Sequence, residues 1–264
     1  MQNSFTIASN TKITVEQAGK YTFRAQEGTN ASLAVIISHK GDLEVDFEYE
    51  FASSSSVRMI VINHNDGYLK LNEKYTLYRD ADVKVAGCHL QSSLCSIAST
   101  YDLLETGASI LVQGAILADQ KKDFELTTCH KAPLTKAQIN SFGVVIGTGR
   151  CEMIVKNSIE KGMYQSETHQ TTRLLTYDRT AVGKILPILY IDENDVAASH
   201  AASLGQPDES QLFYMQTRGL SRVQALELVT VGYLQPVTQF IEDEDLNQML
   251  REEIEQKVKL CLMS

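Results

Sequence analysis

The sequence predicts a mainly β body followed by a small C-terminal α-helical domain, and three observations carry that reading. Before about residue 197 the apolar residues recur in short runs of strand period. No long helical period interrupts them, and near residue 205 the punctuation becomes that of helices. The division expected is a β core over 1–196 and a helical domain over 197–264.

The strand runs are Ser32 to Ser38, Leu43 to Phe51, Val57 to Ile62, Tyr68 to Tyr78 and Val83 to Leu90. They continue as Ile110 to Leu117, Phe124 to Cys129, Gly143 to Ile146, Met153 to Val155, Arg173 to Tyr177 and Ile185 to Ile191. In Leu43-Glu44-Val45-Asp46-Phe47-Glu48-Tyr49 the apolar side chains take one face and the carboxylates the other, which is then solvated. Hairpin turns are sparse, Asp66-Gly67 being the clearest, so a plain meander is poorly supported. Many short strands with few hairpins suit a solenoid such as a β-helix, but no crisp repeat is visible, and on these residues alone a sandwich fits equally.

In Gln206-Pro207-Asp208-Glu209 the proline suits a first helical position and the carboxylates suit the positive end of the helix dipole. That helix runs through Met215, and Arg218-Gly219 supplies a left-handed C-terminal cap. Ser221-Arg222-Val223-Gln224 forms a capping box for a second helix that ends before Pro236. Leu246, Met249, Leu250, Ile254, Val258, Cys261 and Leu262 then make the apolar stripe of a third, which either packs on its own domain or faces a partner.

A chain of 264 residues with 43% hydrophobic and 22% charged residues buries a full core. Its net charge of −9 offers no attraction to nucleic-acid phosphates or an anionic bilayer, so neither partner class is expected. With no basic, apolar leader at the start and no apolar span, the expected location is cytoplasmic. Five cysteines, none in a C-x-x-C pair, point to reduced thiols rather than a disulfide framework or a zinc site.

Histidine and cysteine adjoin twice, in Cys88-His89 and Cys129-His130. Neighbours on a strand face opposite ways, so neither pair chelates a metal, and each is read as a buried thiol beside an exposed imidazole. Gly147-Thr148-Gly149-Arg150 and Thr106-Gly107-Ala108-Ser109 build neither a nucleophile elbow nor a phosphate loop. Asp46, Glu48 and Glu50 do align, as a carbohydrate-active solenoid enzyme would need, but a surface strand explains them more simply.

The distinctive stretch is Ile191-Asp192-Glu193-Asn194-Asp195-Val196-Ala197-Ala198-Ser199-His200-Ala201-Ala202-Ser203-Leu204-Gly205, leading into Gln211-Leu212-Phe213-Tyr214-Met215-Gln216-Thr217-Arg218-Gly219-Leu220. With the strand around Pro187 and Leu189 before it, it resembles the SufB/SufD family of iron-sulfur cluster assembly scaffolds. Cys129-His130-Lys131-Ala132-Pro133 and Tyr164-Gln165 extend the resemblance more weakly upstream.

The resemblance implies a right-handed parallel β-helix with a small C-terminal helical domain, and a non-catalytic role. It implies an ABC-type ATPase partner, SufC, docking on the helical domain, with Gln211, Tyr214, Arg218 and Gly219 as the contact candidates. It also implies pairing with a SufB-like subunit. No tightly bound cofactor is expected, only a transient iron-sulfur cluster at that interface. Family members usually carry a helical region before the β-helix that this chain is expected to lack. The SufB branch has a cysteine near Thr172 and a glutamate where this chain has Ala201, whereas the SufD branch keeps only the histidine, matched by His200. His200 is therefore the cluster-assembly and metal-ligand candidate, the alternative being that it caps the following turn. Leu212, Phe213 and Tyr214 are read more as core than as contact. The competing readings are the solenoid carbohydrate enzyme and a structural homodimer without cluster assembly.

Overall fold

The computed structural model describes residues 3–241 and 243–263, and through them the chain winds as a parallel β-solenoid with helices laid along one side. The odd-numbered strands form one eight-stranded sheet: β1 (Asn3–Ile7), β3 (Gly19–Ala25), β5 (Leu43–Phe51), β7 (Leu69–Leu77), β9 (Cys95–Leu103), β11 (Lys121–His130), β13 (Arg150–Ile159) and β15 (Val182–Ile191). The even-numbered strands form the second: β2 (Thr11–Val15), β4 (Asn30–Ile37), β6 (Ser56–Asn63), β8 (Asp82–His89), β10 (Ser109–Ala118), β12 (Lys136–Val145), β14 (Glu167–Thr176) and β16 (Ala197–Gly205). Every pairing within each sheet is parallel.

Successive strands therefore lie in opposite sheets, and Asp66-Gly67 joins β6 of one to β7 of the other instead of turning a hairpin. The coil advances by a nearly regular length of chain that grows along the solenoid. Glu44 and Lys70 meet across a step of 26 residues, as do Glu73 and Ser99, while longer loops later stretch the step to 31 between Glu125 and Lys156. From β3 to β14 the corner between each odd strand and the next even one holds a residue at positive φ: Gly28 (69°), Ser54 (57°), Asp80 (54°), Gly107 (80°), Leu134 (60°) and Gln165 (54°). The repeat is thus one of conformation, carried by five different residue types.

Inward side chains of both sheets fill one core. Its spine is a column of rings, Phe5, Phe23, Tyr49, Tyr75 and Tyr101, with centroids 5.5, 4.9, 4.5 and 4.7 Å apart in succession. Offset contacts of this kind add about 0.5–1.5 kcal/mol each to the burial itself. Outward faces differ between the sheets. On the odd sheet Lys70 meets Glu44, Lys20 meets Glu48, Arg24 meets Glu50 and Lys184 meets Glu152, each at 2.6 Å across neighbouring strands. On the even sheet Ile60, Ile62, Cys88, Leu117 and Val144 make an apolar face.

The helices cover that apolar face. Helices α1 (Glu209–Thr217) and α2 (Arg222–Leu234) precede a short 3-10 turn (Gln235–Phe240) and α3 (Glu244–Met263). Leu246, Leu250, Ile254 and Val258 of α3 are at most 5% exposed against the sheet, so this helix packs on its own chain. Tyr177 and Thr230 share a 2.6 Å hydrogen bond that ties α2 down. The capping box is present, with Gln224 N–H on Ser221 Oγ and Gln224 Oε1 accepting from Ser221 N–H. Gly219 takes φ +94° after α1. Asp208 caps α1, its Oδ1 accepting from Ser210 N–H, so Pro207 precedes the cap and the first helical position, expected for the proline, falls to Glu209.

Boundaries differ from the sequence reading in several places: β1, β2, β3 and β9 lie outside the strand runs read there, and β13 and β14 begin earlier than theirs. Residues 197–205, placed in the helical part, are β16, and the helical segment starts at Glu209. Strand β12 begins at Lys136, well before Gly143, because Gln138 and Asn140 face outward while Ala137 and Ile139 fill the core.

Corner geometry generates a stability test. At Gly28 a methyl group would meet nothing within 4 Å, so Gly28→Ala is expected to cost only the left-handed penalty of about 1 kcal/mol. At Gly149 it would strike the backbone of Ala118 and Ile146, and the expected loss is about 3 kcal/mol or more. Urea unfolding of the two variants checks the order; equal losses would contradict the close backbone approach.

Candidate functional site

Residues of the last winding behave unlike the rest. Among the described residues β15 pairs only with β13 and β16 only with β14, so each presents an unpaired edge. On β16 every residue except the last is exposed. Leu204 of this strand, and Val182, Leu186 and Tyr190 on the outer side of β15, are 42–58% exposed. The solenoid ends open, with apolar side chains and backbone polar groups together on its terminal face.

His200 stands on this face. It pairs in register with Gln170, and Gln170 with Ile139, which belongs to the core, so the imidazole is on the lumen side of the last strand. His169 Nδ1 and Ser199 Oγ, one residue back on each strand, meet at 2.7 Å on the outer side and clamp β16 to β14. Thr172 is in register with Ala202 and shares the lumen side with His200, whereas Ala201 takes the outer side. His200 is thus presented at an open end and caps no turn, since it lies mid-strand.

Beneath His200 the lumen turns polar. Thr168, Gln170 and Thr172 of β14, Asn157 of β13 and Thr128 and His130 of β11 are all at most 2% exposed. Asn157 Nδ2 donates to Thr168 Oγ at 2.6 Å, and Gln170 Nε2 donates to the Ile188 carbonyl at 3.2 Å. Asn157 Oδ1, Gln170 Oε1, Thr172 Oγ, Thr128 Oγ and His130 Nε2 meet no partner among the described residues. Such groups are costly to leave unpaired and call for water or a ligand.

The two Cys-His pairs are arranged otherwise than expected. His89 and His130 are the buried members at 6% and 1% exposure, because both point into the lumen. Cys88 faces the helices and is buried too, while Cys129 is half-buried on the outer face of the odd sheet. Burial lowers the His89 pKa to about 3, with Lys122 adding to the shift, and lowers that of His130 to about 4, so both rings are neutral. Lys122, fully buried, is satisfied by the carbonyls of Gln91 and Ser93 at 2.6 and 2.9 Å. Burial also raises the Glu73 carboxyl, against the hydrogen bonds that Ser99 and Tyr75 donate to it. The sequence offered no sign of Glu73, whose strand reads as plain alternation with one acid on the inner side.

Asp46, Glu48 and Glu50 are tied to Asn72, Lys20 and Arg24 across neighbouring strands, which makes them rungs of a surface ladder rather than a pair aimed at a ligand. Among the described residues no three of His, Cys, Asp and Glu converge as a metal-binding group, and no helix is long and apolar enough to cross a membrane. On α1, Gln211, Tyr214, Arg218 and Gly219 are all exposed. The Arg218 guanidinium lies 5.2 Å from the Tyr214 ring centre and donates to its hydroxyl at 3.1 Å. Leu212 is core, but Phe213 and Tyr214, read as core, are 68% and 57% exposed because that side of α1 meets no packing surface among the described residues.

The chain is thus a parallel β-solenoid whose even sheet is covered by helices and whose final winding is open, with a histidine on its lumen side. The SufBD core domain of SUF-system FeS cluster assembly matches residues 5–233, and the chain belongs to that family. It is 34% identical over 141 residues to the iron-sulfur cluster assembly protein SufD of Bacillus subtilis, covering 53% of this chain and 32% of that protein. A SufBD family protein of Mycobacterium tuberculosis is 29% identical over 140 residues, covering 52% and 16%. One from Staphylococcus aureus is 23% identical over 198, covering 72% and 42%. The chain therefore spans under half the length of these relatives.

The buried imidazoles give a pH test. Their folded pKa values lie below the ordinary value of about 6.5, so their contribution to stability is complete above that pH and is lost as pH falls through about 4 and then 3. His89→Leu should flatten the loss between pH 6.5 and 3 in urea titrations; an unchanged slope would contradict a buried neutral ring.

Proposed function

We propose that this chain is a SufD-like scaffold subunit that performs no catalysis itself, pairs with a SufB-like subunit through the open end of its solenoid, and docks a SufC-type ATPase on the exposed side of α1. It works in the cytoplasm, and the iron-sulfur cluster is its transient cargo. The observation that carries this reading is His200: the cluster-assembly candidate lies on the lumen side of the last strand, at the open mouth.

The physical argument starts from the edge. Unpaired N–H and C=O groups on β15 and β16 are a template for another chain's strands, and Leu186, Tyr190 and Leu204 add apolar area beside them. A partner seated there would enclose His200 between the two subunits. A neutral imidazole ligates iron, and within a joint it shares that task with ligands from the partner. On α1, Tyr214 and Arg218 are the residue types that concentrate binding energy, already held together by their own contact. The same open edge supports self-pairing when no SufB-like chain is present.

Co-expression with SufB-like and SufC-type subunits tests both surfaces. His200→Ala is expected to leave the complex intact and to lower cluster yield on the order of tenfold; a wild-type yield would remove His200 from the site. Tyr214→Ala with Arg218→Ala is expected to weaken ATPase capture by a factor on the order of ten or more, equivalent to about 1.4 kcal/mol. Undiminished capture would move the docking surface elsewhere.

A further inference from the structure

The residue beneath His200 has one half of its amide engaged and the other half idle. Gln170 is 2% exposed on β14, and its Nε2 donates to the Ile188 carbonyl across the lumen, which fixes the plane of the side chain. Its Oε1 has no partner among the described residues. A buried carbonyl oxygen of this kind demands a donor. In-register side chains on neighbouring strands stand about 4.8 Å apart and touch. Along the lumen side of β16 the register sets Thr168 against Ala198, Gln170 against His200 and Thr172 against Ala202, so only Gln170 faces a side chain that carries an N–H.

We propose that Gln170 is the positioning residue for His200: its Oε1 accepts one imidazole N–H and leaves the other ring nitrogen unprotonated toward the open end. This rests on the reading of His200 as the cluster-handling residue. The chemistry is that of an outer partner to a ligating histidine, where a hydrogen bond at one ring nitrogen sets the tautomer and raises the basicity of the other. His200 is exposed and in register with Gln170, which leaves its ring room to meet that oxygen. The other side of β16 is already held by His169 on Ser199, so the strand that carries His200 does not shift while the ring does. The titratable and charged groups of β14, Glu167, His169 and Arg173, have the opposite parity to Gln170 and lie on the outer side, and Lys184 and Tyr190 of β15 do likewise. Gln170 is therefore the polar group that faces the ring from within.

Nitrogen-15 NMR of the ring of His200 in the full chain reads this without any assay of assembly. One dominant tautomer is expected in the native chain, and the mixture of an unrestrained imidazole in Gln170→Leu. Gln170→Glu, which keeps the shape and supplies a stronger acceptor, should retain the single tautomer and raise the titration midpoint of His200 by about a unit or more. Should Gln170→Leu fail to fold, the comparison of native chain with Gln170→Glu decides alone. Identical tautomer populations and midpoints in all folded forms would overturn the proposal. Normal cluster yield in His200→Ala would sink the functional reading while leaving the Gln170 contact standing, and the reverse pattern would do the opposite.

Discussion

The lateral hydrogen-bond ladder between successive windings is the interaction on which everything else in this chain depends. Each strand finds its backbone partners in strands roughly one winding earlier and later, never in its sequence neighbour. Stability accumulates winding by winding, as in other one-dimensional arrays, and two ends remain unsatisfied. At the late end the consequence is direct: β15 and β16 carry exposed apolar groups and an exposed histidine beside unpaired backbone edges. Under the proposed reading that end is an unfinished sheet, completed by a second subunit.

The lumen is correspondingly uneven. Its early windings are built on the aromatic column from Phe5 to Tyr101, with Glu73 and Ser99 as buried polar members beside it. The later ones replace rings by Thr128, His130, Asn157, Thr168, Gln170 and Thr172. Hydrophobic packing there is weaker and polar atoms are left unmatched, a combination found where structure is given over to function. The helices act on the even sheet alone. The odd sheet stays in solvent with its ion ladder, whose exposed pairs are screened by water and add little to stability.

Much of the architecture was legible in the residues. Strand β5 runs from Leu43 to Phe51 as its alternation requires, and the capping box at Ser221 names the start of α2. What escaped did so for physical reasons. Strand β9 places Ser99 inside against Glu73 and Ala98 and Thr100 outside, so polarity no longer marks its faces. Strand β16 is exposed on both sides and composed largely of Ala and Ser, which leaves no period to see. The winding repeat is hidden because its left-handed corner tolerates Gly28, Ser54, Asp80 and Leu134 alike. His89 and His130 were misjudged because a strand in a closed solenoid has no wet inner face, and alternation alone does not reveal closure. His200 was found through family resemblance; its lumen-side placement over Gln170 required the register.

The central claim is that the last winding is a pairing edge. Amide hydrogen exchange over 182–191 and 197–205, measured in the chain alone and bound to a SufB-like subunit, tests it most directly. Fast exchange at the outer edge of both strands in the free chain, slowed by at least an order of magnitude in the complex, is the outcome the open edge requires. A complex that forms while those amides exchange as before would contradict it.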